Sequence, residues 1–478
     1  PLKSYVFEKI QCYERVKKGP SKYQELRMAK NNLNSGDPMI KSTFEESHDQ
    51  EWIKKNITAP VHELVILRQV IPWSEIITRL ASFYDPQKGC YGKSLRILVA
   101  LLLVSRLRQL SDEQVVIQTK ENRYIQYFCN VPDNGLQTFL DASTLCKFRK
   151  RIGEKGLAII EEETFDLLRT SGSIQGETCL MDSSVLPNNI IYPNDVQLLF
   201  KAFGKLVSFA KKHNLCQWWD QCVVKKYWRA FGLSKKGERP TYLALFHALF
   251  IPALEVFIKK VESLDGSKQT KQVAKELANL LTLLHEQTLE KLAGKIHIKD
   301  RIVSLDEVDA RPIKRGKSYP TCEFGTTLQM SFNRQGFMIT VENFIGAPND
   351  KTLYPATLEH FKKRLKGYPD TVVTDLGFRS AKNIKLTPET VNQVFMGKSE
   401  DVIQEMQDFC RSDRSATEGF IAVDKNWRGF GCSLYRGING DRIWTLLCQT
   451  VYNLKKLLQL YQNEDIEEHS LMKLGLLA

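Results

Sequence analysis

The spacing of hydrophobic positions along the 478-residue chain changes several times, and each change marks a boundary. Residues 1–60 hold no sustained period; a cluster of Arg15, Lys17, Lys18 and Lys22 and a turn-rich stretch at 31–38 read as a basic N-terminal arm. Over 61–175 the period is helical, with Trp73, Ile76, Ile77 and Leu80 at i, i+3, i+4 and i+7. Helix starts are expected at Ser111 and at Asp141, where a short polar side chain precedes the apolar run. At 177–186 the text becomes short, apolar and bounded by Gly176 and Pro187, as in a buried strand, with Asp182 inside it. Residues 201–297 return to helix, and 271–292 is a long amphipathic run. Strand-like segments resume at 302–305, 322–332 and 337–344, the last two flanking a turn at 333–336 as in a hairpin. A helix at 353–365 and a strand at 371–375 follow. This order predicts an α/β fold: a mixed sheet flanked by helices (176–200 and 298–460), interrupted by a helical insertion (201–297), preceded by an all-helical domain (61–175) and closed by a tail (461–478).

Composition agrees with several folded units, since domains run roughly 100–200 residues and 42% of this chain is hydrophobic. The formal net charge of +13, from 68 Lys and Arg against 55 Asp and Glu, nominates DNA or RNA as partner. Eleven scattered cysteines, without a C-x-x-C pair, argue for reduced thiols in a cytoplasmic compartment and against zinc or disulfides. The apolar stretch 241–258 approaches membrane-spanning length, but His247, Pro252 and Glu255 make a buried helix the better account, and no membrane partner is expected.

Two places carry candidate chemistry. Asp375 ends a buried strand before Gly377, where ligands meet open α/β sheets, although an Asp before Gly is also a common turn. Further on, Arg414, Glu418 and Lys425 lie at i, i+4 and i+11, on one face if 411–425 is helical, and a surface helix with ordinary ion pairs has the same look. Basic residues Lys147, Arg149, Lys150 and Arg151 after the Asp141 start suit a helix-turn-helix-like DNA reader or the exposed face of a plain bundle.

Four blocks, in this order, resemble the DDE transposases of bacterial insertion sequences: M-D-S-S-V-L-P-N-N-I-I-Y-P-N-D from Met181, D-A-R-P-I-K-R-G-K with E-F-G from Asp309, V-T-D-L-G-F-R-S from Val373, and T-E-G-F-I-A-V-D-K-N-W-R-G-F-G with Y-R-G from Thr417. L-S-D-E-Q from Leu110 and D-A-S-T-L-C-K-F-R-K-R-I from Asp141 are similar to the helical N-terminal domain of the same enzymes. The resemblance implies an RNase H-like catalytic domain in which Asp182, Asp375 and Glu418 hold two Mg²⁺ or Mn²⁺ ions about 4 Å apart for cleavage and strand transfer. Arg414 and Lys425 match the Arg and Lys of an R-x3-E-x6-K signature; Arg411 stands where that signature has Tyr, and Asp424 is a reserve for Glu418.

It further implies double-stranded DNA as partner (terminal inverted repeats and target), a homodimer on DNA, a nucleoid-associated place in the cytoplasm, and no nucleotide cofactor. Arg311, Lys314, Arg315, Lys317 and Arg379 are expected to hold phosphates, and the region 88–155, with Lys147, Arg149 and Arg151, to read the ends. Tyr192 is expected to pack, as are Trp427 and Trp444, which otherwise could stack a flipped base. A nuclease that does not join strands, and an end-binding protein without activity, share this pattern.

Overall fold

The computed structural model describes residues 50–59, 61–85, 93–131, 139–215, 220–316, 321–397, 404–463 and 472–474. The basic arm up to residue 49, Cys12, Cys90, Trp218, Trp219, Lys317 and most of the tail lie outside the described residues. Seven helices come first: α1 (Gln50–Asn56), α2 (Glu63–Val70), α3 (Trp73–Leu80), α4 (Leu95–Leu107), α5 (Asp112–Glu121), α6 (Arg123–Cys129) and α7 (Ala142–Thr170). Both expected starts are real caps. Ser111 forms a reciprocal capping box with Gln114 ahead of α5, and the Asp141 carboxylate accepts the Ser143 N–H at the head of α7. Gly153, with φ +57°, bends α7 into two segments. Arg96 is buried at the start of α4 with its guanidinium 3.2 Å from the Trp73 ring centroid.

After strand β1 (Thr178–Pro187) the chain leaves the sheet for α8 (Asp195–Lys212), α9 (Gln221–Leu233), α10 (Arg239–Glu262) and α11 (Lys268–Leu292). These pack around their own core, with Phe203, Leu206, Phe246, Phe250, Phe257 and Leu281 at its centre. By length and composition α10 alone among the described helices could cross a membrane; here one face of it, His247 included, is core. The segment 302–305, expected as a strand, is not one. It is extended and buried against the insertion, and the Gln287 side chain supplies both backbone partners of Ile302, at 2.7 and 3.1 Å, in place of a neighbouring strand.

The sheet then completes with β2 (Arg311–Ile313), β3 (Glu323–Phe332), β4 (Met338–Ile345), α12 (Asp350–Leu365), β5 (Thr371–Thr374), α13 (Ala381–Leu386), β6 (Gln393–Met396), α14 (Gln404–Trp427) and α15 (Gly437–Gln462). It is mixed. β1 is central, antiparallel to β3 on one side and parallel to β5 on the other; β6 follows β5 in parallel, and on the outer edge of β3 the short β2 pairs with Glu323–Gly325 and β4 with Thr326–Phe332. The β3–β4 hairpin turns where expected, the Gly336 N–H donating to Asn333 O at 3.0 Å.

Alternation along the strands assigns the two faces. Met181 and Val372 join a single apolar core that also contains Leu64, Leu101, Phe148 and Leu168 from the N-terminal helices and Leu447 and Val451 from α15. The helical region therefore shares its main core with the sheet and keeps only a small cluster of its own, Ile57, Val65 and Tyr127. Leu180, Leu186, Leu328 and Val373 face the other way, toward Cys410 of α14 and Trp444 of α15.

Candidate active site

Asp182 follows Leu180 on the α14 face of β1, and the parallel register Leu180 with Val373, carried two residues further, sets it beside Asp375. Asp375 caps a short 3-10 turn, its carboxylate accepting the Gly377 N–H at 2.9 Å. The turn and site readings of that residue are thus compatible: the turn holds the carboxyl at the sheet edge. α14 crosses this edge, and the i, i+4 spacing brings Arg414 Nη2 to 3.2 Å from Glu418 while its Nη1 lies 3.5 Å from Asp182. One guanidinium thus joins two acids that are distant in sequence. Burial pushes the Asp182 carboxyl up to about 6; the Asp375 charge adds to this, while Arg414, the Ser183 amide and Arg315 oppose it. Glu418 is 68% exposed.

Sequence reasoning missed a second layer on the opposite face of β1. The Ser183 hydroxyl donates to Asp350 at 2.7 Å, and Arg315 donates to the Ser183 carbonyl and hydroxyl at 2.5 and 2.7 Å. A Cβ at Gly377 would lie 3.0 Å from Asp375 and 3.2 Å from Asp350, so both acids crowd one turn. No single segment carried that signal, because its members come from β1, the loop after β2 and the head of α12.

The remaining basic residues divide by what they touch. Lys425 pairs with Glu323 at 3.5 Å, Arg411 with Asp408 at 3.2 Å, and Arg311 donates to the Val308 and Ala310 carbonyls. Lys314 is exposed at the end of β2, and Arg379 follows the Asp375 turn, half-buried. On α7, Lys147 and Arg151 point outward, the latter 4.7 Å from the Tyr84 ring centroid. Arg149 is buried: its two terminal nitrogens meet the Asp112 oxygens at 2.8 and 2.6 Å, and its guanidinium stands 4.6 Å from the Tyr435 centroid. That side chain is engaged in joining α5, α7 and the Y-R-G block.

Asp424 does not serve as a reserve for Glu418. It is fully buried on the inner face of α14, both oxygens lack a hydrogen-bond partner, and burial holds its carboxyl well above the usual range. Trp444 is core, as expected, whereas Trp427 is 66% exposed. Tyr192, expected to pack, is 79% exposed and touches Phe324 only edge-on.

The motif blocks also have structural reasons. Glu307 and Asp309 accept the Gly437 and Ile438 N–H groups, each at 2.8 Å, so the D-A-R-P block caps the helix that Y-R-G begins. In E-F-G, a Cβ on Gly325 would lie 2.0 Å from the Leu186 carbonyl oxygen, so only glycine permits β1 and β3 to approach there.

Comparison with known proteins gives a consistent result. Residues 51–151 match the family model described as Transposase domain (DUF772). A Rhizobium meliloti protein described as uncharacterized protein ORF8 in the nfe locus is 35% identical over 162 residues, 33% of this chain and 78% of that protein. No solved structure matches. The chain belongs to the family of that Rhizobium protein, and with its matched transposase domain it is a transposase-family protein.

Proposed function

We propose that the protein is a DNA transposase of the DDE type, cleaving at transposon ends and transferring the freed 3′-hydroxyl into target DNA. The observation that carries this reading is the gathering at one sheet edge: Asp182 within β1 and Asp375 just past the end of its parallel neighbour β5, with Arg414 touching both Asp182 and Glu418. The strand order, antiparallel β3 and parallel β5 and β6 around a central β1, supports an RNase H-like catalytic fold.

Hard oxygen donors on Asp182 and Asp375 suit Mg²⁺ or Mn²⁺. The third acid does not close the set as it stands: among the described residues no three His, Cys, Asp or Glu side chains converge closely enough to hold a metal, and Glu418 rests on Arg414. Completing the site requires Glu418 to leave that guanidinium. When bound, two such ions would activate the attacking oxygen and stabilise the leaving one.

The chain's own cations would orient the strand. Arg414 and Arg315 stand nearest Asp182, Lys425 pairs with Glu323 toward the other end of β1, Arg311, Lys314, Arg379 and Arg411 add further cations, and Lys147 and Arg151 offer an exposed face on α7 for the ends. The partners are double-stranded terminal repeats and target DNA, handled by a homodimer assembled on DNA, without a nucleotide cofactor.

The test is Asp182→Asn and Asp375→Asn on DNA carrying the element's own ends. Both variants should bind that DNA as wild type does and lose Mg²⁺-dependent cleavage, and wild-type protein should yield strand-transfer products from pre-cut ends. Wild-type cleavage rates in either variant overturn the assignment; cleavage without joining makes the protein a nuclease.

A further inference from the structure

The loop 188–194, between β1 and α8, is anchored at both ends and yet presents apolar groups to water. At its start the Asn188 N–H donates to the Phe324 carbonyl at 2.9 Å, and its side-chain amide donates to both buried Asp441 oxygens at 3.0 and 3.1 Å. At its end the Asn194 carboxamide oxygen accepts the Val196 and Gln197 N–H groups, and Asp195 is held by Arg301 at 2.7 and 2.9 Å. Between these fixed points Ile191 is 65% and Tyr192 79% exposed. The Tyr192 ring stands edge-on to Phe324, at 5.5 Å and 87°, leaving its own faces open. An aromatic ring carried on a loop anchored at both ends, with its faces uncovered, gives folding little and offers a stacking partner its whole area.

Its placement names the partner. Phe324 continues the alternation that puts Asp182, opposite Met330, and Leu186, opposite Thr326, on the α14 face. From Asp182 to Asn188, which falls opposite Phe324 one step beyond the Pro187–Gly325 pair, the strand advances about 20 Å at roughly 3.3 Å per residue, the span of a few nucleotides of an unstacked DNA strand. Cations mark the route: Arg414 beside Asp182, Lys425 at 3.5 Å from Glu323, next to Phe324, and exposed Lys314 one residue beyond the Ile313–Glu323 pair.

Resting on the DNA-processing role argued above, we propose that Tyr192 is a stacking platform for an unpaired base of the DNA strand, a few nucleotides from the scissile phosphate, with Lys425 and Lys314 taking the intervening phosphates. Stacking is tolerant of sequence, because every base has a π-face. The site selects an unstacked strand over intact duplex.

The experiment is binding of full-length protein, in EDTA, to a DNA duplex with a five-nucleotide single-stranded extension, measured as a function of salt. Tyr192→Ala should weaken binding about tenfold, within the range of one lost stack, and leave the salt slope unchanged because no charge is removed. Tyr192→Phe should bind as wild type. Lys425→Ala should lower the slope by about one. A 5-iododeoxyuridine in the extension should photocrosslink to residue 192. Unaltered affinity in Tyr192→Ala, or a crosslink confined to other residues, overturns the proposal. So does loss of self-association with DNA affinity retained, which would give this face to a second copy of the chain. Because no cleavage is measured, failure here leaves the Asp182 and Asp375 assignment standing, and failure of that assignment leaves this result readable.

Discussion

Replacing Arg149 by alanine separates a DNA contact from a structural tie. The side chain is 11% exposed, that of its partner Asp112 is 22% exposed, and two nitrogen–oxygen contacts of 2.8 and 2.6 Å join them. Truncating one member of a buried pair costs about 3–5 kcal/mol, because the other charge is left desolvated. Asp112 keeps some water and sits in the first turn of α5, where the helix dipole favours a carboxylate by about 0.3–1 kcal/mol, which offsets part of that loss. The stack over Tyr435 adds about 0.5–2 kcal/mol to what is removed. The sum is a destabilisation of about 3–6 kcal/mol. Urea unfolding should read it as a lower midpoint, and a cycle with Asp112→Ala should show a coupling of about 1–3 kcal/mol, since the residues touch. Lys147→Ala, at an exposed position two residues earlier, should leave the midpoint alone. An Arg149→Ala protein with the wild-type midpoint and a DNA salt slope reduced by about one would refute the structural role and return Arg149 to the phosphate-binding set.

Two further outcomes follow from burial and close approach. Burial holds the Asp424 carboxyl well above the usual range, so the folded state binds a proton more tightly than the unfolded chain, and wild-type stability falls as pH rises above the ordinary carboxylate range. Asp424→Asn should therefore raise the thermal midpoint at pH 7–8 and lose that advantage near pH 4; equal midpoints at pH 8 would refute it. Gly325→Ala would set a Cβ 2.0 Å from a backbone oxygen of β1 and should cost more than about 4 kcal/mol, seen as insoluble protein or a collapsed midpoint. A soluble variant with the wild-type midpoint would show that the strands can part there.

What was legible in the chain follows from how burial writes itself into sequence. β1 and β5 are apolar runs between turn residues and were readable within two residues, as was the β3–β4 hairpin. β6 and β2 were not, since three or four residues carry no period. α15 was missed for the opposite reason. Its buried side includes Asp441, Thr445, Gln449, Thr450 and Asn453, polar groups that read as surface until their partners, such as Asn453 with Met338, are known. Of the candidate site, motif order singled out the three acids and Arg414, and the contact of Arg414 with both Asp182 and Glu418 was not legible. The misreading of Arg149 had a local remedy. Leu145, Phe148 and Ile152 define the buried stripe of α7, and Arg149 falls on that stripe whereas Lys147 and Arg151 fall off it. Tyr192 had no such remedy, because a tyrosine after two isoleucines looks apolar whether it is covered or bare.

The single core running from the N-terminal helices through the sheet to α15 also bears on how such a protein can change over generations. A segment with a private core can be traded between relatives whole, as the insertion here could be. The stretch spanning 61–175 cannot, because its apolar side is completed by residues more than 250 positions downstream, Leu447 and Val451 among them. Variation in that stretch must come by substitution on its outer surface, one position at a time, while its inner surface drifts only in step with the last long helix.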